Sequence, residues 1–561
     1  MIEISNENFK ILYPQLKDTI NNASFIAIDA EFTGIHSEEN SKHSLFDDLD
    51  NHYKLLRKNI QPFIISQFGI AVFHHVRSQN TYEAVCYNFY LFPRPVPFKN
   101  RKFTCQASAL EFLHKHQFNF YKFIDEGICY LDEADEKLLA HHIEQGNLVN
   151  NIEHLSHDEE NVFKDCKHKI SEWLKKEKDN TLLQIETPSP ILQYMVHKEL
   201  RNSFKNIWTS SGYKTIDVTR ITSQMRELLE KEDNNQLEKA LLNSYIGFSK
   251  VFKLLSSSKK PIIGHNNLLD LMFMHQQFYK PLPESYKKFK SNIHTLFPQI
   301  YDTKFVSFEL QKLLSKDEAS WKLNSLSNLY EHLSSNMSQL TFNSPRIELK
   351  KDSSDIKSYH NAGWDAYFAG YIFIKMGHIF CVKKFGAGLE DRSVTYSELI
   401  NSVKDYKNCV GLTKGNEIYM RFDGLDPTLP KPEWLHVRIN SPSIDIKQLV
   451  KKFSTFGRVN VMPFTRRRAL VAVTNYKSAT HILQHFKCNQ EFEVTRYCRL
   501  RHSTPAFVGL WSLDRPNFAP SRTQRAWHQN ERKIAERSNQ EDPMKKSSRR
   551  SAAVCCLSQI R

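Results

Sequence analysis

The stretch Ser24 to Ile35, SFIAIDAEFTGI, restricts this chain more than any other. Phe25 to Ile28 is an apolar run with the look of a buried strand. Asp29 and Glu31 then interrupt it. Side chains alternate across a strand, so these two carboxylates project to one face and Ala30 turns away. Two ionised carboxylates on one buried face repel each other and are costly to desolvate. A hard divalent cation such as Mg²⁺, which takes oxygen ligands, relieves both costs.

A lone Asp-x-Glu is more often a solvated strand end. Two later stretches give this one weight. Pro261 to Asp270 reads PIIGHNNLLD, a buried strand turning into a helix, with Asp270 in its first turns. His360 to Asp365 reads HNAGWD, directly ahead of and into another helix. Phosphodiester hydrolysis requires charge neutralisation on the phosphate, a deprotonated water and a stabilised leaving oxygen. Two Mg²⁺ ions held by several carboxylates meet these needs. Asp29, Glu31, Asp270 and Asp365 are four such carboxylates. His360 is the candidate base, because an imidazole titrates near neutral pH.

The 561 residues leave room for two to four domains. A net charge of +15 and a pI near 9.1 favour a polyanionic partner. Taken alone, that charge equally fits a catalytically inactive RNA-binding scaffold. Ten scattered cysteines without a C-x-x-C pair argue against a disulfide scaffold or zinc site and for a reduced compartment, here expected to be the cytoplasm. No signal peptide, membrane anchor or apolar spanning stretch is evident.

Taken in order, residues 1–24 read as a short helix. The segments 63–73 and 82–92 read as strands that extend the first into a meander. A helix is expected over 106–118. Residues 1–150 form the first part of the principal domain. From 151 to 245 the charge density rises, which marks an inserted helical or small α/β module. The principal domain resumes over 246–410, with a helix at 239–255, a strand at 261–264, a helix at 265–278, a strand at 297–306 and a helix at 362–376. Residues 430–500 follow the order βαββαβ, the ferredoxin-like pattern of RNA-recognition modules. A basic tail rich in Pro, Ser, Arg and Lys, expected to be disordered, occupies 514–561.

The ordered set of D-x-E on a first strand, H-N-x-x-x-D at a strand-to-helix turn and H-x-x-x-x-D before a late helix resembles the DEDD exonuclease superfamily in its histidine variant. FIAIDAEFTGI, CQASALEFL, FYKPLPESY, LFPQIYDTK and HNAGWDAY resemble the poly(A)-specific ribonuclease family more closely. That resemblance covers about residues 1–410. It implies a ribonuclease H-like α/β fold, a mixed sheet flanked by helices. It implies a Mg²⁺-dependent 3′→5′ exoribonuclease, with two ions per site and Mn²⁺ as a substitute. Its substrates would be single-stranded RNA 3′ ends, either poly(A) tails or piRNA and other small-RNA precursors. It further implies a homodimer and RNA-processing protein partners. Metal binding falls on Asp29, Glu31, Asp270 and Asp365, the base role on His360, and RNA contacts on Phe32, Ile35, Asn266 and Lys304. Two of the chain's departures from the family concern nucleic-acid and cap binding. The insert lacks the Arg-x-x-x-His signature of the family's small nucleic-acid-binding domain, and Pro463 stands where a cap-binding tryptophan would fall.

Overall fold

The computed structural model describes residues 1–37, 44–96, 98–146, 155–176, 182–233, 236–314, 324–335, 343–350, 357–386, 392–412, 419–427, 434–441, 444–465 and 467–498. The chain divides into two units, 1–431 and 432–561. The basic tail expected over 514–561 lies outside the described residues, as does Arg466.

The first unit is built on a seven-stranded mixed sheet. Its strands are β1 (Ile2–Ile4), β2 (Phe25–Phe32), β3 (Ile65–Val76), β4 (Thr81–Tyr90), β8 (Ile262–Gly264), β9 (Ile300–Asp302) and β10 (Arg346–Leu349). Strands β5 (Leu183–Glu186), β6 (Ile207–Ser211) and β7 (Thr215–Arg220) form a separate sheet. The main sheet runs β1-β4-β3-β2-β8-β9, with β10 also on β4. β2, β3 and β4 pair antiparallel, whereas β8 and β9 join β2 in parallel. The architecture is α/β, with helices on both faces.

Period-two alternation along β2 sorts the core. Ile26, Ile28 and Ala30 face one apolar cluster with the helices Phe9–Asn21, Ser249–Ser258 and Leu268–Met274. Phe25 and Ala27 face the other, which is dominated by the helix Ala362–Phe385. That helix is apolar nearly all round, as befits one enclosed in a core. Asp29 and Glu31 have the parity of Phe25 and Ala27, so they share its side of the sheet.

The structure corrects several expectations. Residues 1–24 are not only a helix, because Ile2–Ile4 is an edge strand paired parallel with β4. The helix expected over 239–255 is two, Gln236–Ile246 and Ser249–Ser258. It breaks at Gly247, whose φ of +41° suits glycine and whose added Cβ would meet Cys129 O at 2.1 Å. The strand expected over 297–306 is only Ile300–Asp302. The Asp302 side chain then accepts the Lys304 N–H and starts the helix Thr303–Leu313. The helix expected over 362–376 continues to Phe385.

Within 151–245, β5, β6 and β7 pair antiparallel in the order β5-β7-β6. The helices His157–Lys176 and Pro190–Ser203 complete an apolar cluster with them. Strands β11 (Cys409–Gly411) and β12 (Tyr419–Arg421) form a small hairpin. The second unit holds β13 (Leu435–Ile439), the helix Ile446–Ser454, β14 (Val459–Thr465), β15 (Arg468–Val473), the helix Tyr476–His485 and β16 (Phe492–Arg496). Its antiparallel sheet is ordered β14-β15-β13-β16 around its own apolar core. Among the described residues, no helix is long and apolar enough to cross a membrane.

Candidate active site

The parallel strands β2, β8 and β9 are neighbours, so their C-terminal ends open along one edge of the sheet. Ligands of open α/β sheets bind at such edges. Asp29 and Glu31 stand at the end of β2. After β8 the chain passes through His265, Asn266 and Asn267 into the helix Leu268–Met274, with the buried Asp270 in its first turn. After β9, Lys304 sits in the first turn of the next helix.

Asp365 arrives from the far part of the chain, in the first turn of Ala362–Phe385. That helix start lies directly on β3. A Cβ on Gly69, the residue opposite Asp29, would come within 1.8 Å of Ala362 O. Ala362 N–H donates to Gln67 Oε1 at 2.9 Å, and Gly363 N–H to Asn88 Oδ1 at 3.3 Å. Asn361 Oδ1 accepts from Trp364 N–H at 3.4 Å. His360 adopts a left-handed backbone with φ +62°, and its N–H donates to Asp365 Oδ2 at 3.0 Å. The ligand-capable atoms of Glu31, His360 and Asp365 all lie within 4.8 Å of one another.

The electrostatics tie in the remaining two acids. Burial, and then repulsion by Asp270, Asp365 and Glu31, raises the Asp29 carboxyl well above its ordinary range. Burial, and then repulsion by Asp365 and Asp270, does the same to Glu31. Asp270 is pushed up to about 7, chiefly by burial, against the lowering effect of the Asp270 and Ala30 backbone N–H groups. Asp365 is also pushed up to about 7 by burial, opposed by the His360 N–H. The exposed His360 ring packs against Phe112 and His116, with centroid separations of 4.8 and 4.1 Å. Burial, and then His116, lowers its pKa.

Mutually repelling acids of this kind fit a cation. Asp270 Oδ1 and Asp365 Oδ1 are buried without a hydrogen-bond partner. A buried carboxylate oxygen left so is costly unless a positive ion meets it. Glu31, His360 and Asp365 form a group able to hold one such ion.

Other site residues are held by the scaffold. The Asp302 side chain accepts from the backbone N–H groups of Asn266 at 2.7 Å, Lys304 at 3.0 Å and Gly411 at 2.9 Å, so it is a structural brace. His265 spends both ring nitrogens on Thr303 Oγ1 and Asn324 O. Asn266 has φ +62° and is half-buried, as is Lys304. Phe32, also half-buried, stacks on Phe273 with centroids 4.3 Å apart. Ile35 N–H donates to Gln106 Oε1 at 3.3 Å. Sequence reasoning did not single out Gln67, Asn88, Phe112 or His116. The one available signal was a polar residue inside each of the apolar runs FIISQFGIAVF and YEAVCYNFYLF.

The profile of the CAF1 family ribonuclease matches residues 4–373. The pre-piRNA 3′-exonuclease trimmer of Bombyx mori is 33% identical over 527 residues, covering 91% of this chain and 96% of that relative. The poly(A)-specific ribonuclease PNLDC1 of Mus musculus is 30% identical over 512 residues, covering 90% and 95%. The poly(A)-specific ribonuclease PARN of Homo sapiens is 29% identical over 534 residues, covering 88% and 80%. With four acids gathered at the carboxyl edge of a mixed sheet and a match over most of its length, the chain belongs to the CAF1 family of ribonucleases, as a 3′→5′ exoribonuclease of its poly(A)-specific ribonuclease branch.

Proposed function

We propose that the protein trims single-stranded RNA precursors of the piRNA type from their 3′ ends, releasing 5′-nucleotides, and that poly(A) ends enter the same site. Asp29, Glu31, Asp270 and Asp365 would hold two divalent cations, Mg²⁺ or Mn²⁺ in its place. When bound, these ions supply positive charge to the scissile phosphate and acidify the attacking water. His360 accepts the proton from that water. Its lowered pKa keeps the ring neutral, hence basic, at physiological pH. Phe32 and Ile35 offer apolar surface to the terminal bases, Asn266 an amide, and Lys304 a cation for a backbone phosphate. We assign the second unit as a ferredoxin-like, RNA-recognition-like module.

The observation that carries this reading is the convergence of four repelling carboxylates, two of which keep a buried oxygen unpartnered. A protein that only binds RNA gains nothing from buried acids that repel phosphate. The choice of precursor over poly(A) follows the name of the Bombyx mori relative, a pre-piRNA 3′-exonuclease trimmer. The test is shortening of a 3′-hydroxyl RNA by the full chain with Mg²⁺. Asp29→Asn and Asp270→Asn are expected to stop it while folding persists, and chelation with EDTA to stop the unmodified protein. Undiminished trimming by either variant rejects the site. Equal rates on an oligo(A) end and a mixed-sequence precursor end would remove the precursor preference.

A further inference from the structure

We propose that Gln67 and Asn88 are positioning residues for catalysis, two buried strand amides that fix the start of the Ala362–Phe385 helix beside Asp29 and Glu31. The inference rests on the roles given above to Asp365 and His360. Neither amide touches the reacting atoms, and both act through the turn that carries those two residues.

The sheet register shows how. Asp29 on β2, Gly69 on β3 and Asn88 on β4 lie in one row across three strands. Glu31, Gln67 and Tyr90 lie in the next. All six share the face that meets the long helix. Gly69 leaves a gap in the first row, and the Ala362 carbonyl fills it. The two amides flanking that gap then take the first two N–H groups of the helix, Ala362 and Gly363. Helix N-termini are ordinarily capped by a neighbour in sequence, as Asn361 does here for Trp364. Here two of the donors are satisfied from strands 295 and 275 residues away. A local cap holds a helix end together. A cap from the sheet also fixes where that end lies on the sheet.

That location decides the site. Asp365 comes one turn into the helix, and His360 is bound to its carboxylate through the backbone N–H. Gln67 is the cross-strand neighbour of Glu31, whose carboxylate lies within 4.8 Å of the ligand atoms of Asp365 and His360. A slip of about 1 Å at the helix start would pull Asp365 from Glu31, and a misplacement of that size costs ~10²-fold in rate. Gln67 is 2% exposed and Asn88 fully buried, so neither can serve as a direct RNA contact. Asn88 Nδ2 finds no partner, so the carbonyl oxygen alone is in use.

The experiment measures the full-length variants Gln67→Met and Asn88→Leu, which remove the acceptors at similar volume. Asp365→Ala is run beside them. The readouts are kcat and KM for a 3′-hydroxyl RNA, the Mg²⁺ concentration for half-maximal rate, and hydrogen–deuterium exchange over residues 360–365 in metal-free protein. Gln67→Met and Asn88→Leu should lower kcat about 10–100-fold, the usual cost of losing an outer support of a metal site. KM should stay within about twofold, the Mg²⁺ requirement should rise, and exchange over 360–365 should quicken. Unchanged kcat in both acceptor-less variants, with Asp365→Ala inactive, overturns this inference and leaves the site intact. An active Asp365→Ala overturns the site itself. If Asn88→Leu does not fold, Gln67→Met and the exchange measurement still decide. Unaltered exchange over 360–365 in Gln67→Met overturns the inference.

Discussion

Asp270 and Asp365 show how much of this site is stored in single side chains. Both are raised to about 7 by burial, against an ordinary 3.8. Between roughly pH 4 and 7 the metal-free fold therefore holds protons that the unfolded chain has released. Its stability must fall as pH rises through that window. Divalent cations compete with the same protons. The gain in melting temperature on adding Mg²⁺ should thus be larger near pH 8 than near pH 6, and the Mg²⁺ needed for half-maximal activity should fall over the same interval. Melts with Mg²⁺ and with EDTA check both. Asn267 is a different case. It is 1% exposed, packs against Gly264, and leaves both its amide oxygen and its nitrogen unpartnered. A buried polar group without partners costs about 1–3 kcal/mol. Asn267→Leu should therefore stabilise the fold by about 1–2 kcal/mol, read as a higher urea midpoint. Asp29 and Glu31 were singled out by strand alternation, and Asp270, His360 and Asp365 by the ordered motifs that resemble the family. Asn267, inside the same motif, gave no hint of its isolation.

Elements with a strong period were read close to their observed limits. β2, β3 and β4 alternate plainly, and the turn between the last two falls at 77–80. Not every short element was read, although three-residue β8 falls within the strand expected at 261–264. β1 has three residues and β10 four, too few for a period, and both exist because β4 offers them an edge. The run Phe297–Val306 was apolar enough for a strand, yet a side-chain cap at Asp302 overrides that pattern after three residues. The caps on the long helix were beyond reach for another reason: Gln67 and Asn88 meet it only once the sheet has formed. At this scale Gly69 is the sensitive point. Gly69→Ala would place a methyl group on the Ala362 carbonyl, which is backbone and cannot turn aside. Overpacking there should cost about 1–3 kcal/mol. It should also lower RNA-shortening activity more than any loss of folded protein explains, as paired denaturation and rate measurements would show.

For the whole molecule, the acids and the net charge of +15 pull in opposite directions. On the proposed reading the acids would take up cations at one sheet edge, leaving the excess Lys and Arg for a polyanion. Raising KCl should therefore increase KM for RNA on a log–log line, with a slope near 0.7 per phosphate contact. The rate at saturating RNA should change little, because binding is then complete and salt acts chiefly on association. A salt titration of initial rates separates the two. Composition made the polyanion legible from the start. It did not identify the RNA, because a 3′ end carries the same hydroxyl and phosphate whatever its origin.

The left-handed turn at His360 bears on how an RNA-trapping variant is made. Alanine there would lose the imidazole and also favour a right-handed backbone, dragging the Asp365 carboxylate with it. Glycine would let the turn wander. Asparagine tolerates the conformation and is the cleaner choice for capturing an uncut transcript.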